Sequence, residues 1–263
     1  MNYYKTLIAT ATKSLCFLLL FCYCFSTISA QPPEKENKWN VLTEFYILFP
    51  YMDGETGVGN VITAPLEAKP GDIFSNLKFG IMLNAEVHNN KWAIISDLLY
   101  ANLIQEVTPS KLLNSGTVSA KQIIWENSGL YRLTSYLEAG VGGRVNFMET
   151  GIDVRRNVIP AGTEQVTESA SKIWFDPILV ARVATSIKDK WLFQVKGDLG
   201  GFGIGSEFTW QLQAYAGYRF SRLFQLSAGY KILSIDYDKG VDKERFIYNV
   251  DTFGPVIRLG FNF

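Results

Sequence analysis

The chain has 263 residues, a size that all-β barrels commonly reach without splitting into domains. Aromatics at 14% and 22 glycines favour strands and tight turns over helices. Its 25 basic and 25 acidic residues cancel, which excludes the strongly basic surface that nucleic-acid binding requires.

Residues 1–30 have the layout of a secretory signal: Lys5 and Lys13, an apolar run over 15–25, then Ser29-Ala30 before Gln31. The run is too short for a spanning helix. A lipoprotein needs a small residue before the modified cysteine, and Tyr23 precedes Cys24. Loss of Lys5 and Lys13 with this leader leaves 23 basic against 25 acidic residues, a charge of −2. Cys16, Cys22 and Cys24 also lie in it, so cleavage near Ala30 removes the disulfide, zinc-thiolate and cysteine-nucleophile readings together. Residues 31–37 follow as a polar lead-in.

From Lys38 onward one alternation recurs. Trp39, Val41, Thr43, Phe45, Ile47 and Phe49 share a face of a first strand, with Asn40, Glu44 and Tyr46 opposite. Leu77, Phe79, Ile81, Leu83, Ala85 and Val87 repeat the pattern against Lys78, Gly80, Asn84, Glu86 and His88. Asn89-Asn90 reads as a hairpin turn into a third strand, from Lys91-Trp92 to about Asn102. A fourth over 118–132 is weak, with polar Asn127 on its apolar face, and a fifth over 136–149 alternates well. Residues 150–171 read as a polar loop centred on Pro160-Ala-Gly162. Further strands run over 173–186, 190–199, 206–220 and 222–237, and in the last of these the phase slips at Leu233, which predicts a bulge. The final strand covers 253–263, with Phe253, Pro255, Ile257, Leu259, Phe261 and Phe263 on one face.

Long connections at 50–76, 103–117, 150–172, 200–206 and 238–252 alternate with short ones at 88–91, 132–136, 187–190 and 220–222. That order matches short periplasmic turns and longer outer loops. Lys38-Trp39, Lys91-Trp92 and Lys190-Trp191 open three upward strands and, with Phe263, predict an inner aromatic girdle. Phe175, Phe208, Trp210 and Tyr100 predict the outer one. In the first long connection Asp72 favours the start of a short helical turn, either plugging the mouth or lying exposed. The fold class is therefore all-β: a single transmembrane antiparallel up-and-down β-barrel over 38–263, with about ten strands and roughly eight to twelve allowed.

The terminal strand, aromatic at its last residue and at both ends of its apolar face, resembles the C-terminal strand of bacterial outer-membrane β-barrels. In that family the assembly machinery reads this strand. The resemblance implies an assembly signal of Phe263, Phe261 and Leu259, with outer-membrane lipids and the barrel-assembly machinery as partners. It implies the Gram-negative outer membrane as location. Trp174-Phe-Asp-Pro177, the glycine run from Asp198 to Ser206, Thr209-Trp-Gln211, Gly217-Tyr-Arg-Phe220 and Gly229-Tyr-Lys231 are similar to a set found in uncharacterised small outer-membrane barrels of porin-like fold. This second resemblance covers 174–263 best and carries no assigned activity.

The polar strand faces line the lumen. They hold Glu44, Glu86, Asp97, Glu126, Glu138, Asp176 and Asp198 against Lys78, Arg144, Arg182, Lys196, Arg219, Lys231 and Arg258. Equal numbers of each sign predict a paired network filling a narrow barrel, since enclosed charges are tolerated mainly when paired. The alternative is a narrow passive channel. Barrel hydrolases form a rival class and generally place a His with Ser or Asp partners near the outer mouth; the single histidine, His88, falls beside a periplasmic turn. No catalytic residue, metal site or cofactor is expected, although a carboxylate pair such as Asp176 with Asp198 is conceivable. A soluble lipocalin-like carrier is the remaining rival. The glycine run is not a phosphate loop, because no helix follows it.

Overall fold

The computed structural model describes residues 38–59, 64–106, 113–157 and 163–263. The expected leader, the lead-in over 31–37 and the loop centre Pro160-Ala-Gly162 lie outside the described residues.

The elements are β1 (Asn40–Leu48), β2 (Tyr51–Val58), β3 (Ala64–Ala68), α1 (Pro70–Asn76), β4 (Leu77–His88), β5 (Trp92–Glu106), β6 (Leu113–Arg132), β7 (Leu137–Asn157), β8 (Thr163–Ile187), β9 (Trp191–Gly200), β10 (Phe208–Arg219), β11 (Phe224–Lys239) and β12 (Phe246–Asn262). Ten of the strands close an antiparallel ring in the order β1, β4 to β12. Closure runs through β1 and β12, from Leu42↔Asn262 to Leu48↔Val256. The terminal strand thus seals the barrel, and its inward residues sit opposite those of β1.

Alternation explains both faces of the wall. Outward side chains are apolar and remain in the open, with Ile173 66% and Val141 63% exposed, while carboxylates and guanidiniums on the alternate positions are buried. A soluble carrier would reverse this arrangement, since only lipid rewards an apolar exterior around a charged interior. The outward apolar stretch from Trp92 to Tyr100 on β5, or from Trp191 to Leu199 on β9, has about the 9–11 residues that a tilted strand needs to cross a bilayer. Ring contacts mark its edges. Trp92 meets Tyr131 at 5.0 Å and Trp191 meets Tyr218 at 5.1 Å near the short turns. Tyr51 stacks on Phe253 at 5.8 Å, and Phe79 lies 5.8 Å from Tyr100, near the long hairpins.

Three expectations change. The connections at 103–117, 150–172 and 238–252 are largely strand, because β5–β6, β7–β8 and β11–β12 continue as paired ribbons past the apolar band. Above that band neither face meets lipid, so polar residues appear on the outward face and the alternation fades, although Phe246, Tyr248 and Val250 of β12 still fill the inward face. The bulge at Leu233 is absent: β11 pairs without a register shift on both sides, and Lys231, Leu233, Ile235 and Tyr237 all stay buried in one phase. What changes at Leu233 is the lumen itself, from polar to apolar. The 50–76 connection holds the β2–β3 hairpin and α1, whose first turn Asp72 supports by accepting the Lys69 N–H at 3.1 Å. No residue of α1 is buried, so the helix supplies no plug.

The break between β1 and β2 falls at Phe49-Pro50. Below it β1 pairs with β4 from Asn40↔His88 to Phe45↔Leu83; above it β2 continues along β12 from Tyr51↔Phe253. The Leu48 N–H, past the last β4 pair, donates instead to the Met82 Sδ at 3.3 Å.

Candidate functional site

The candidate site is the lumen, which has three levels. Nearest the short turns, Arg182 on β8 pairs with Glu86 on β4 and donates from Nε to Glu138 on β7 at 2.6 Å. Arg132 reaches the same Glu138 at 2.8 Å. Across the barrel Arg258 on β12 donates to Glu44 at 3.0 Å and to the Tyr215 hydroxyl at 2.8 Å, with its guanidinium carbon 3.8 Å from the centre of that ring. His88 Nδ1 lies 3.2 Å from Glu86.

The middle level is a charge cluster built by four strands, β6, β7, β9 and β10. Arg144 on β7 donates to Glu126 at 2.8 Å, to Asp198 at 2.7 Å and to the Thr209 hydroxyl at 3.1 Å. Lys196 reaches Glu126 at 2.5 Å, and the Gln211 amide bridges Glu126 at 3.0 Å and Asp198 at 2.8 Å. Beside it Asp97 accepts from the Tyr46 hydroxyl at 2.8 Å and from Asn84 at 3.2 Å, with Lys231 at 3.8 Å. Ionic hydrogen bonds from several sides offset the desolvation that a lone buried charge would suffer.

The third level is apolar. Leu48, Leu99, Ile124, Met148, Trp174 and Leu233 are buried there together with Tyr237, Phe246, Tyr248 and Val250. Trp174 anchors the layer, its ring 4.2 Å from Tyr237 and 6.3 Å from Phe246. At its edge Asp176, fully buried, accepts from Asn146 at 2.8 Å, from the Trp174 indole at 3.1 Å, and from the Ser206 N–H at 2.6 Å and hydroxyl at 2.9 Å. These bonds tie the β9–β10 loop down over the lumen. Gly201 and Gly203, at φ +83° and +75°, make the tight turn expected of the glycine run.

Of the fourteen charged residues assigned to the lumen, Glu44, Glu86, Asp97, Glu126, Glu138, Arg144, Asp176, Arg182, Lys196, Asp198, Lys231 and Arg258 are buried. Lys78 is a correction. It is exposed, because it sits at the register shift between Leu77 and Phe79, beyond the last β1–β4 pair, where β4 has lost its neighbour. Arg219 is the second: it is only half-buried at the short-turn end, and no ion pair holds it among the described residues. Seven buried carboxylates therefore face five buried cations rather than an equal number. Neutral donors make up the difference, above all around Asp176. Asp176 and Asp198 serve separate partners and form no acidic pair. The polar faces read from the sequence already carried Asn84, Gln211 and Gln213 without assigning them as partners of the charges, while Asn146 and Ser206 were left out. The apolar level was left out as well.

No protein-family model matches the sequence, and no curated protein does. Among solved structures, the outer membrane protease OmpT of Escherichia coli superposes with a TM-score of 0.52 at 7% identity, over 91% of this chain and all of that one (100%). Ail, the attachment invasion locus protein of Yersinia pestis, gives 0.37 at 12% identity over 86% and 98%. The Pseudomonas putida toluene transporter TodX gives 0.34 at 8% over 88% and 91%. At such identities the likeness concerns the fold: this chain is a small closed barrel of the outer-membrane type.

Proposed function

We propose that the chain is a non-catalytic outer-membrane barrel with a sealed lumen, serving as a structural or interaction element of the Gram-negative envelope. The observation that carries this reading is the stacking of two different fillings, the Arg144 cluster and the Trp174 layer, across one narrow bore. Barrels of about eight strands are filled by side chains, and open aqueous channels come at about sixteen. The non-catalytic part rests on His88, which lies at the short-turn end beside Glu86, away from the long hairpins. The short turns face the periplasm in this reading, the leader is removed near Ala30, and Phe263, Phe261 and Leu259 address the chain to the assembly machinery. A planar-bilayer recording on the refolded protein tests it: the expected trace stays at baseline, whereas steady ion-selective current would favour the narrow channel.

A further inference from the structure

Beneath the Arg144 cluster a cavity of about 220 Å³ opens toward the short turns. We propose that this vestibule binds a small oxyanion, the phosphate or carboxylate of a solute, on the guanidinium of Arg219. Four guanidiniums line the cavity, those of Arg132, Arg182, Arg219 and Arg258, against the carboxylates of Glu44, Glu86 and Glu138. Each carboxylate is already taken: Glu86 and Glu138 by Arg182, Glu138 also by Arg132, and Glu44 by Arg258. Among the described residues Arg219 is left over. Its Nε is enclosed with no acceptor, and the Nε of Arg258, itself only 4% exposed, is likewise unmet. Buried guanidinium N–H groups without acceptors are costly, and the planar fork of an arginine matches the oxygens of phosphate or carboxylate.

The surroundings favour the same ligand. Exposed Lys38, Lys91, Lys188, Lys190 and Arg222 lie around the short-turn end against Asp189, so the approach carries net positive charge that raises the local concentration of anions. The cavity holds several times the about 30 Å³ that one water occupies in the liquid. That leaves room for phosphate or a small organic acid. Arg219 points the choice toward a solute rather than a lipid headgroup, because its strand position shares the inward phase of Gln211, Gln213 and Tyr215, the last of which is buried inside the ring.

The test titrates refolded protein in neutral detergent with sodium phosphate, and separately with succinate, at an ionic strength held constant with chloride, and reads the unfolding midpoint. A saturable rise is expected for at least one of the two anions. Arg219→Gln should weaken its half-saturation at least tenfold, Arg219→Lys several-fold, and Arg222→Gln on the rim by less than threefold. No saturable rise in the parent overturns the proposal, as does an Arg219→Gln protein that responds like the parent. So does a rise produced by short-chain phosphatidylglycerol alone, which would place the anion site on the lipid side. The inference takes the floor of the cavity from the sealed-lumen reading. Bilayer current would break that reading, whereas absent anion binding without current would break only this one.

Discussion

Arg144 and Arg219 show how differently two inward arginines can stand. Arg144 is fully buried and held by Glu126 and Asp198, so Arg144→Ala leaves two carboxylates enclosed without their shared cation. The expected cost is about 3–5 kcal/mol, read as a lowered urea midpoint by tryptophan fluorescence. Arg219→Ala strands no carboxylate and should cost about 1 kcal/mol or less, as for exposed pairs. Equal midpoints for the two variants would show that the Arg144 cluster is hydrated. A second residue-scale case is Asp176, which satisfies Asn146, Trp174 and Ser206 without a cation. Asp176→Ala should cost about 1–3 kcal/mol and speed proteolysis at Ile204, the loop residue freed by losing the Ser206 bonds. Unchanged cleavage there would separate the loop from this carboxylate. Strand parity made twelve of the fourteen charges legible, because parity alone fixes which face a residue occupies. It could not tell that Arg219 has no ion-pair partner among the described residues, since opposing strands and levels along the bore are invisible in one strand's pattern.

At the scale of elements, the break at Phe49-Pro50 lets one segment serve two roles, first sealing the ring and then carrying the β2–β3 hairpin above it. It requires close backbone approach: a Cβ on Gly254 would lie 2.0 Å from the Phe49 carbonyl oxygen. Gly254→Ala must therefore push the two segments apart, at about 1–3 kcal/mol, and should lower the unfolding midpoint and slow closure of the barrel as seen by heat-modifiable mobility on gels. An alanine variant that folds and melts like the parent would mean that β1 has room to shift. The glycine was not legible as a contact point, because alternation treats any small inward residue alike. The ribbons past the apolar band were missed for a related reason, since strand reading depends on one face meeting lipid. Orientation is testable at the same scale. With the native cysteines confined to Cys16, Cys22 and Cys24, Ile204→Cys should react with an impermeant thiol reagent on intact cells and Arg222→Cys should not. The opposite pattern would invert the barrel.

For the whole molecule, the two fillings obstruct the bore by different physics, and that difference makes their contributions separable. The Trp174 layer excludes water because nothing in it binds water well, and a dry apolar constriction blocks ions by dewetting. The Arg144 cluster blocks because its charges already satisfy one another, leaving little for a passing ion to replace. Removing Trp174 and Tyr237 together opens the upper level but leaves the cluster below, so the current should remain at baseline. Removing Arg144 and Glu126 together deletes one charge of each sign, keeps Lys196 and the Gln211–Asp198 bond, and leaves the apolar layer above intact. That variant should also be silent. Only the four substitutions combined connect the lower vestibule to the long-hairpin side, and they should yield a steady current in planar bilayers. Current from the Trp174/Tyr237 variant alone would make the apolar layer the sole seal and the charge cluster a wet lining. Current from the Arg144/Glu126 variant alone would assign the seal to the cluster. Silence from all four substitutions would require a further obstruction, for which the β9–β10 loop held by Asp176 and Ser206 is the segment positioned over the bore.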